Sequence, residues 1–498
     1  MPLGQILFSL MQLGKVSTGI VGLDDVLGGG LPENRLYLIQ GQPGVGKTTL
    51  ALQFLLEGVR DGEKVLYITL SETKEELQEV ATSHGWSLEG ISLFDLSAME
   101  YSLDPQADNS VFHPAEVELG ETTKALLDLV DKIQPKRAVF DSLSEMRLLA
   151  RDALRYRRQI LALKHYFAGK NCTVLLLDDQ TSEPGDLQLQ SIAHGVVLME
   201  QVPLSYGVDR RRIRVQKLRG TSFRSGYHDC GIERGGLLIF PRLVAAEHRH
   251  RIDEAVIGSG VKSLDSLLGG GMDRGVSTLL LGPAGSGKST VAIQYAIAAA
   301  QRGEVALLYS FEESPRTLYK RSKAIGMDVE KYVKEGLIKI QHIDPAELSP
   351  GQFVHHVRRE TQTGKVSLVV IDSLNGYLNA MPEEKFLVLQ LHELLSYLGQ
   401  QGITTLLVVA QHGMLGSNMG TPVDVSYLAD TVLLFRFYEH EGRIKRALSV
   451  VKRRGGEHDI SIRELQFKGM DGIYVGEPLH HLRGVLTGVP VRETAPST

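Results

Sequence analysis

The sequence predicts two α/β domains in tandem, each a mostly parallel sheet with helices on both faces. Three observations carry that expectation. A phosphate-binding loop occurs twice, as Gly41-Gln42-Pro43-Gly44-Val45-Gly46-Lys47-Thr48 and as Gly282-Pro283-Ala284-Gly285-Ser286-Gly287-Lys288-Ser289. Each copy follows an apolar run, Leu36–Gln40 or Thr278–Leu281, and precedes a helical stretch that begins in the first half at Thr49. The segments around the loops also recur in the same order, the second loop starting 241 residues after the first. Strands that alternate with helical patterns argue for a parallel sheet buried on both faces.

The loop chemistry follows from its spacing. Gly41, Gly44 and Gly46, and likewise Gly282, Gly285 and Gly287, let backbone N–H groups turn inward around a phosphate at a helix N-terminus. Lys47 and Lys288 neutralise the outer phosphates, Thr48 and Ser289 are placed to ligate Mg²⁺, and Thr49 and Thr290 come next at the nucleotide. Two matches with the same flanks imply a nucleoside triphosphate bound twice. ATP and Mg²⁺ are the expected cofactors.

Taken in order, residues 1–13 form an extension, 14–247 the first domain, 248–255 a polar linker, 256–490 the second domain and 491–498 a small polar tail. Gly22–Gly30 recurs as Lys262–Gly271 ahead of the loops. After each loop helix comes Gly-Glu and an apolar strand, Val65–Leu70 or Val305–Phe311, and then a polar helix running to Gly85 or Gly326. The next apolar strands, Arg137–Ser142 and Leu368–Ser373, deliver Asp141 and Asp372 at their ends, where a carboxylate can hold Mg²⁺ directly or through water. An amphipathic helix and another strand follow (Thr173–Leu177, Thr404–Val409), and each half then turns strand-rich.

Composition narrows the class. With 498 residues, 43% apolar and 23% charged, the chain is ordinary globular protein with room for two cores. A formal net charge of −5 offers no general attraction to nucleic acid or anionic membrane. Cys172 and Cys230 do not form a C-x-x-C pair and read as core residues in a reducing cytosol, so a cytoplasmic location is expected. Arg210-Arg211-Arg212 reads as a solvated strand face or subunit rim, His355-His356 and His480-His481 as surface residues, and Trp86 as local packing. No apolar run is long enough for a membrane helix.

The set Leu-Asp-x-x-Leu-Gly-Gly-Gly before the loop, an acid after the next strand, and Lys-x-Arg-Gly late in each half resembles the RecA-like ATPases. The duplication resembles the KaiC family of tandem ATPases, from about Lys15 to Arg492. The resemblance implies an ATP-hydrolysing homo-hexamer with nucleotides between subunits and autokinase activity in the second domain. It assigns the water-polarising acids to Glu72, where Ser71 replaces the other acid of the pair, and to Glu312 and Glu313. It also has Lys217 with Arg219, and Lys452 with Arg454, reach phosphates bound by the neighbouring subunit. A KaiB-like or other signalling protein is the implied partner. Clock members carry a longer activator-binding tail than Val491–Thr498, so regulation through that tail is not expected here. Counting back from Asp430-Thr431 puts Ser426 at the phosphorylated Ser position, with Tyr427 in place of the following Thr and Thr421 close by. The alternatives are a DNA-handling ATPase (a recombinase or helicase), disfavoured by the lack of a basic excess, and a scaffold held together by nucleotide.

Overall fold

Runs of Leu, Ile and Val too short for helices, each bounded by a glycine or an acid, become strands buried along their length. The computed structural model describes residues 14–95, 124, 126–150, 152–180, 188–248, 255–344, 346–362, 364–379, 386–411, 427–487 and 491–492. It divides into two units, Met1–Arg242 and Leu243–Thr498.

In the first unit the main strands are β1 (Leu36–Gly41), β2 (Val65–Thr69), β3 (Ile91–Asp95), β4 (Arg137–Asp141), β5 (Thr173–Asp178), β6 (Gly195–Val202), β7 (Arg210–Leu218), β8 (His228–Glu233) and β9 (Gly236–Phe240). The helices used below are α1 (Lys47–Arg60), α2 (Lys74–His84), α3 (Leu143–Ala150), α4 (Ala153–Ala168) and α5 (Gln188–Ile192). The nine strands lie in the order β3-β2-β4-β5-β1-β6-β7-β8-β9. The first six in that order are mutually parallel, and β7, β8 and β9 close the sheet as an antiparallel meander. Helix α1 buries Leu50, Ala51, Leu52, Phe54 and Leu55 against one face. Helix α4 buries Tyr156, Ile160, Leu163 and Phe167 in the other core.

The second unit repeats this layout with β10 (Ser277–Gly282), β11 (Val305–Ser310), β12 (Ile338–His342), β13 (Val366–Asp372), β14 (Thr404–Ala410), β15 (Thr431–His440), β16 (Arg443–Arg453), β17 (Arg463–Phe467) and β18 (Ile473–Pro478). Its order, β12-β11-β13-β14-β10-β15-β16-β17-β18, is the first unit's order with every strand advanced by nine. Here α6 (Lys288–Gln301) follows the loop and α7 (Pro315–Lys323) follows β11. The repeated Leu-Asp before each loop has a structural role: Asp24 accepts from the Thr18 backbone N–H (2.9 Å), and Asp265 accepts from that of Ser259 (2.7 Å).

Two details depart from the sequence reading. Residues 243–248, assigned there to the end of the first domain and the start of the linker, pack in the second unit. Leu243 and Ala245 join its core, and the Ala245 N–H donates to Glu393 (2.9 Å). Arg210, at the start of β7, is buried rather than solvated, although it shares its strand face with the more exposed Arg212 and Arg214. Arg212 pairs with Glu200 (2.7 Å) and stacks 4.2 Å from the Tyr227 ring centroid.

The first residue of β4 is Arg137, 2% exposed. Its guanidinium meets Glu63 (2.5 Å) and Asp61 (3.0 Å), donates to the Ser17 and Phe54 carbonyls (2.7 and 2.9 Å), and lies 5.0 Å from the Phe54 ring centroid. The same register position in the second unit is Leu368. Removing the guanidinium leaves two carboxylates and two carbonyls without their donor. Arg137→Ala is expected to destabilise the first unit by about 3–5 kcal/mol. Trp86, the chain's single tryptophan, packs on that unit's core, so its fluorescence during urea unfolding reads the change. An unchanged midpoint would contradict the role given to Arg137.

Candidate nucleotide sites

Parallel strands bring their carboxyl ends to one edge of the sheet, and each loop leaves the central strand at that edge. Gly46 and Gly287 cap α1 and α6 with φ of 107° in both. A Cβ at Gly46 would meet Ile232 Cδ1 at 2.7 Å, and one at Gly287 would meet Phe467 Cζ at 2.4 Å, so position and backbone sign both demand glycine. The helix N-termini then aim their N–H groups into the loop, which suits an anionic ligand.

Inside each loop the lysine is drawn back onto the chain that carries it. Lys47 Nζ donates to the Gly41 and Gln42 carbonyls (2.8 and 3.0 Å), and Lys288 Nζ to those of Gly282 and Pro283 (2.8 and 2.7 Å). Burial lowers Lys288 to about 8, against the opposing pull of Asp372 and Glu312. Lys47 has a further partner that the sequence reading missed, Asp179, at 2.7 Å.

Thr48 Oγ1 donates to Asp141 Oδ2 (3.1 Å), which also accepts from the Tyr67 hydroxyl. Ser289 likewise bonds Asp372. Burial pushes both aspartates above the usual carboxylate range, partly offset by those hydroxyl donors. A hydroxyl beside a carboxylate at the mouth of a phosphate loop is an all-oxygen donor set, the kind that suits Mg²⁺.

The acids after the second strand lie in matching turns. Thr69 Oγ1 receives the Glu72 N–H (2.9 Å), as Ser310 Oγ receives that of Glu313 (3.2 Å). Glu72 therefore corresponds to Glu313, and Ser71 to Glu312. Their side chains have different surroundings. Glu72 Oε2 is buried without a hydrogen-bond partner among the described residues. Burial, with Asp141, Glu76 and Asp179 nearby, pushes its carboxyl up to about 7 despite Lys47. Glu313 is gripped by Arg321 of α7, Nε to Oε1 at 3.1 Å and a terminal nitrogen to Oε2 at 2.8 Å, and the same guanidinium donates to Thr290 Oγ1 (2.9 Å). Glu312 accepts from the Ser373 hydroxyl. Thr290 thus serves a side-chain network, and Thr49 is buried at the start of α1.

The structure does not bring the late cations to the loops of their own units. Lys217 pairs across the sheet with Val196, which pairs with Leu38, three residues before Gly41. Lys452 pairs with Val432 and through it with Leu279, three residues before Gly282. They sit toward the amino ends of the central strands, about 10 Å of strand away from the loops. Lys217 donates to the carbonyls of Gln190 and Ala193 (2.5 and 2.8 Å), and Arg219 to that of Ser191 (2.9 Å). Lys452 donates to the Ala429 carbonyl (2.7 Å), and Arg454 lies 3.5 Å from Asp430. Ser426 and Thr421 lie outside the described residues; Tyr427 is described and exposed.

Of the residues that sequence reasoning missed, Asp179 carried a signal. The apolar run Thr173–Leu177 delivers Asp178-Asp179 at its end, the pattern that singled out Asp141. Arg321 and Tyr67 carried none, since one charge in a basic helix and one aromatic in a strand are common.

No helix among the described residues is long and apolar enough to cross a membrane. A family model described as "ATPase: KaiC" matches the chain twice, over residues 16–244 and 257–480. The circadian clock oscillator protein KaiC of Acaryochloris marina is 29% identical over 491 residues, covering 97% of this chain and 92% of its own length. That of Thermostichus vulcanus is 29% identical over 97% of this chain and 93% of its own length. The circadian clock protein KaiC3 of a Synechocystis strain is 28% identical over 96% of this chain and 94% of its own length. Two loops built to hold nucleotide phosphates, on two copies of one sheet order, agree with those matches: this chain belongs to the KaiC family of ATPases.

Proposed function

We propose that the protein is a ring-forming, Mg²⁺-dependent ATPase whose two classes of site lie between subunits. The reading rests on one observation above all: Lys217, Arg219, Lys452 and Arg454 sit at the end of the sheet away from the loops of their own units. A cation that serves phosphate from there must serve a neighbour's, where it stabilises charge on the transferred phosphoryl group. A hexamer is the proposed ring. Its self-association, and a KaiB-like or other signalling partner, accord with relatives named as clock proteins. Thr48 with Asp141, and Ser289 with Asp372, would hold Mg²⁺, which offsets phosphate charge when bound.

Shared sites predict complementation. Protein with Lys47→Ala and Lys288→Ala keeps its late cations, and protein with all four late cations changed to Ala keeps its loops. Each alone is expected to hydrolyse ATP poorly, and mixing them should restore part of the activity. Mixtures no faster than the sum of the separate proteins would refute sharing.

Glu72 is assigned as the proton acceptor of the first site, and Glu312 or Glu313 as that of the second. Because Glu72 is raised to about 7, it becomes a carboxylate, and so a competent base, only as pH rises through neutrality. First-site hydrolysis, measured in Lys288→Ala protein, is expected to climb between about pH 6 and pH 8. Glu72→Gln should lower it by about 10²–10⁴-fold and flatten the profile. A Glu72→Gln rate equal to the parent's would remove the assignment.

Autokinase activity is proposed for the second site, with the Ser426 hydroxyl as acceptor in line with a γ-phosphate. Tyr427 carries its oxygen several ångströms farther from the backbone than threonine would, and such displacement is costly in an in-line transfer. Tandem mass spectrometry after incubation with ATP and Mg²⁺ should find one dominant phosphate, on Ser426. Phosphate confined to Tyr427, or none despite hydrolysis, would overturn this.

A further inference from the structure

The two loop lysines have the same backbone partners and differ in their third. Strand β5 ends at Asp178, whose register partner is Gln40, and β14 carries Val409 opposite Leu281. The next residues, Asp179 and Ala410, therefore occupy the same place beside their loops. Asp179 Oδ1 lies 2.7 Å from Lys47 Nζ, and the two side chains are 24% and 6% exposed. Its Oδ2 accepts from Ser144 Oγ (3.1 Å), and its backbone N–H donates to the same oxygen (3.2 Å). All three ammonium hydrogens of Lys47 are thus used. In the second unit Asn375 holds Ala410 through its backbone, accepting at 2.7 Å and donating at 2.8 Å, and the residue at this place carries a methyl group instead of a carboxylate. Lys288 makes two such bonds among the described residues, both to loop carbonyls.

We propose that Asp179 is a nucleotide-discriminating residue of the first site, which lowers that site's preference for ATP over ADP. The loop N–H groups cradle the inner phosphates, and the lysine reaches the outer ones. A terminal phosphate must take an N–H that Asp179 holds, and it then lies beside a like charge that the Ser144 hydroxyl keeps in position. A diphosphate, cradled by backbone, meets far less of that conflict. The second site, with a methyl group there, makes no such distinction. The inference rests on the nucleotide-site reading of the two loops.

The experiment is calorimetric titration of the full chain, with Mg²⁺, using ADP and a non-hydrolysable ATP analogue. Lys288→Ala isolates the first site, and Lys47→Ala the second. The analogue-to-ADP affinity ratio is expected to be smaller at the first site. Asp179→Ala should strengthen analogue binding there by about tenfold, with less than about a twofold change for ADP. Asp179→Asn, which keeps the shape and the serine contacts, should move it the same way, and Ala410→Asp should weaken analogue binding at the second site. Unchanged analogue affinity in both Asp179 variants, or equal shifts for both nucleotides, would overturn the inference. Binding that survives Lys47→Ala with Lys288→Ala would instead defeat the loop reading itself.

Discussion

Six parallel strands per unit impose the arrangement of everything reactive. Parallel pairing sends successive carboxyl ends to one edge, so the loop after β1, the acid after β2, Asp141 after β4 and Asp179 after β5 converge without any special folding of their own. The same pairing requires both faces of the sheet to be covered, which is why β1, β2, β4 and β5 are each followed by a helix. The antiparallel meander breaks this polarity. By reversing direction, β7 and β16 carry their terminal cations to the opposite edge, away from the loops of their own unit.

Most of this was legible in the sequence. Apolar runs with glycine or acid at the ends located the strands within a residue or two, as Leu36–Gly41 and Thr173–Asp178 illustrate, because burial on both faces leaves little else such runs can do. The loop motifs were legible because steric demand at Gly46 and Gly287 admits few alternatives. Illegible were side-chain contacts between neighbouring elements. Arg321 reaching back to Glu313 and Thr290, and Tyr67 reaching Asp141 from a neighbouring strand, depend on register and rotamer. The placement of 243–248 was missed for another reason: a polar stretch reads as linker, and its two anchors, Leu243 and Ala245, are single apolar residues.

Backbone identity coexists with electrostatic divergence between the sites. The first gathers Asp141, Asp179 and Glu72 around one lysine; the second has Ala410 in place of Asp179 and engages Glu313 with a guanidinium. Duplication supplied two equal frames, and side chains at their rims made them chemically unequal. A KaiC-family chain with this pattern has two sites that differ in charge before any partner acts on either.

The buried arginine of β4 bears on a different matter, how a chain with two copies of one fold sorts its halves. Nearly equivalent strands invite exchange between the copies during folding, since the hydrogen-bond ladders match. Were β4 to take the place of β13, Arg137 would enter the slot of Leu368. There the counterpart of Asp61 is Arg302, and the counterpart of Glu63, Glu304, is already engaged by Arg274, Arg302 and Ser367. Were β13 to take the place of β4, Asp61 and Glu63 would face a leucine. Each exchange leaves charge unpaired in or beside the core, so the ion pairs of Arg137 disfavour the exchange of β4 with β13.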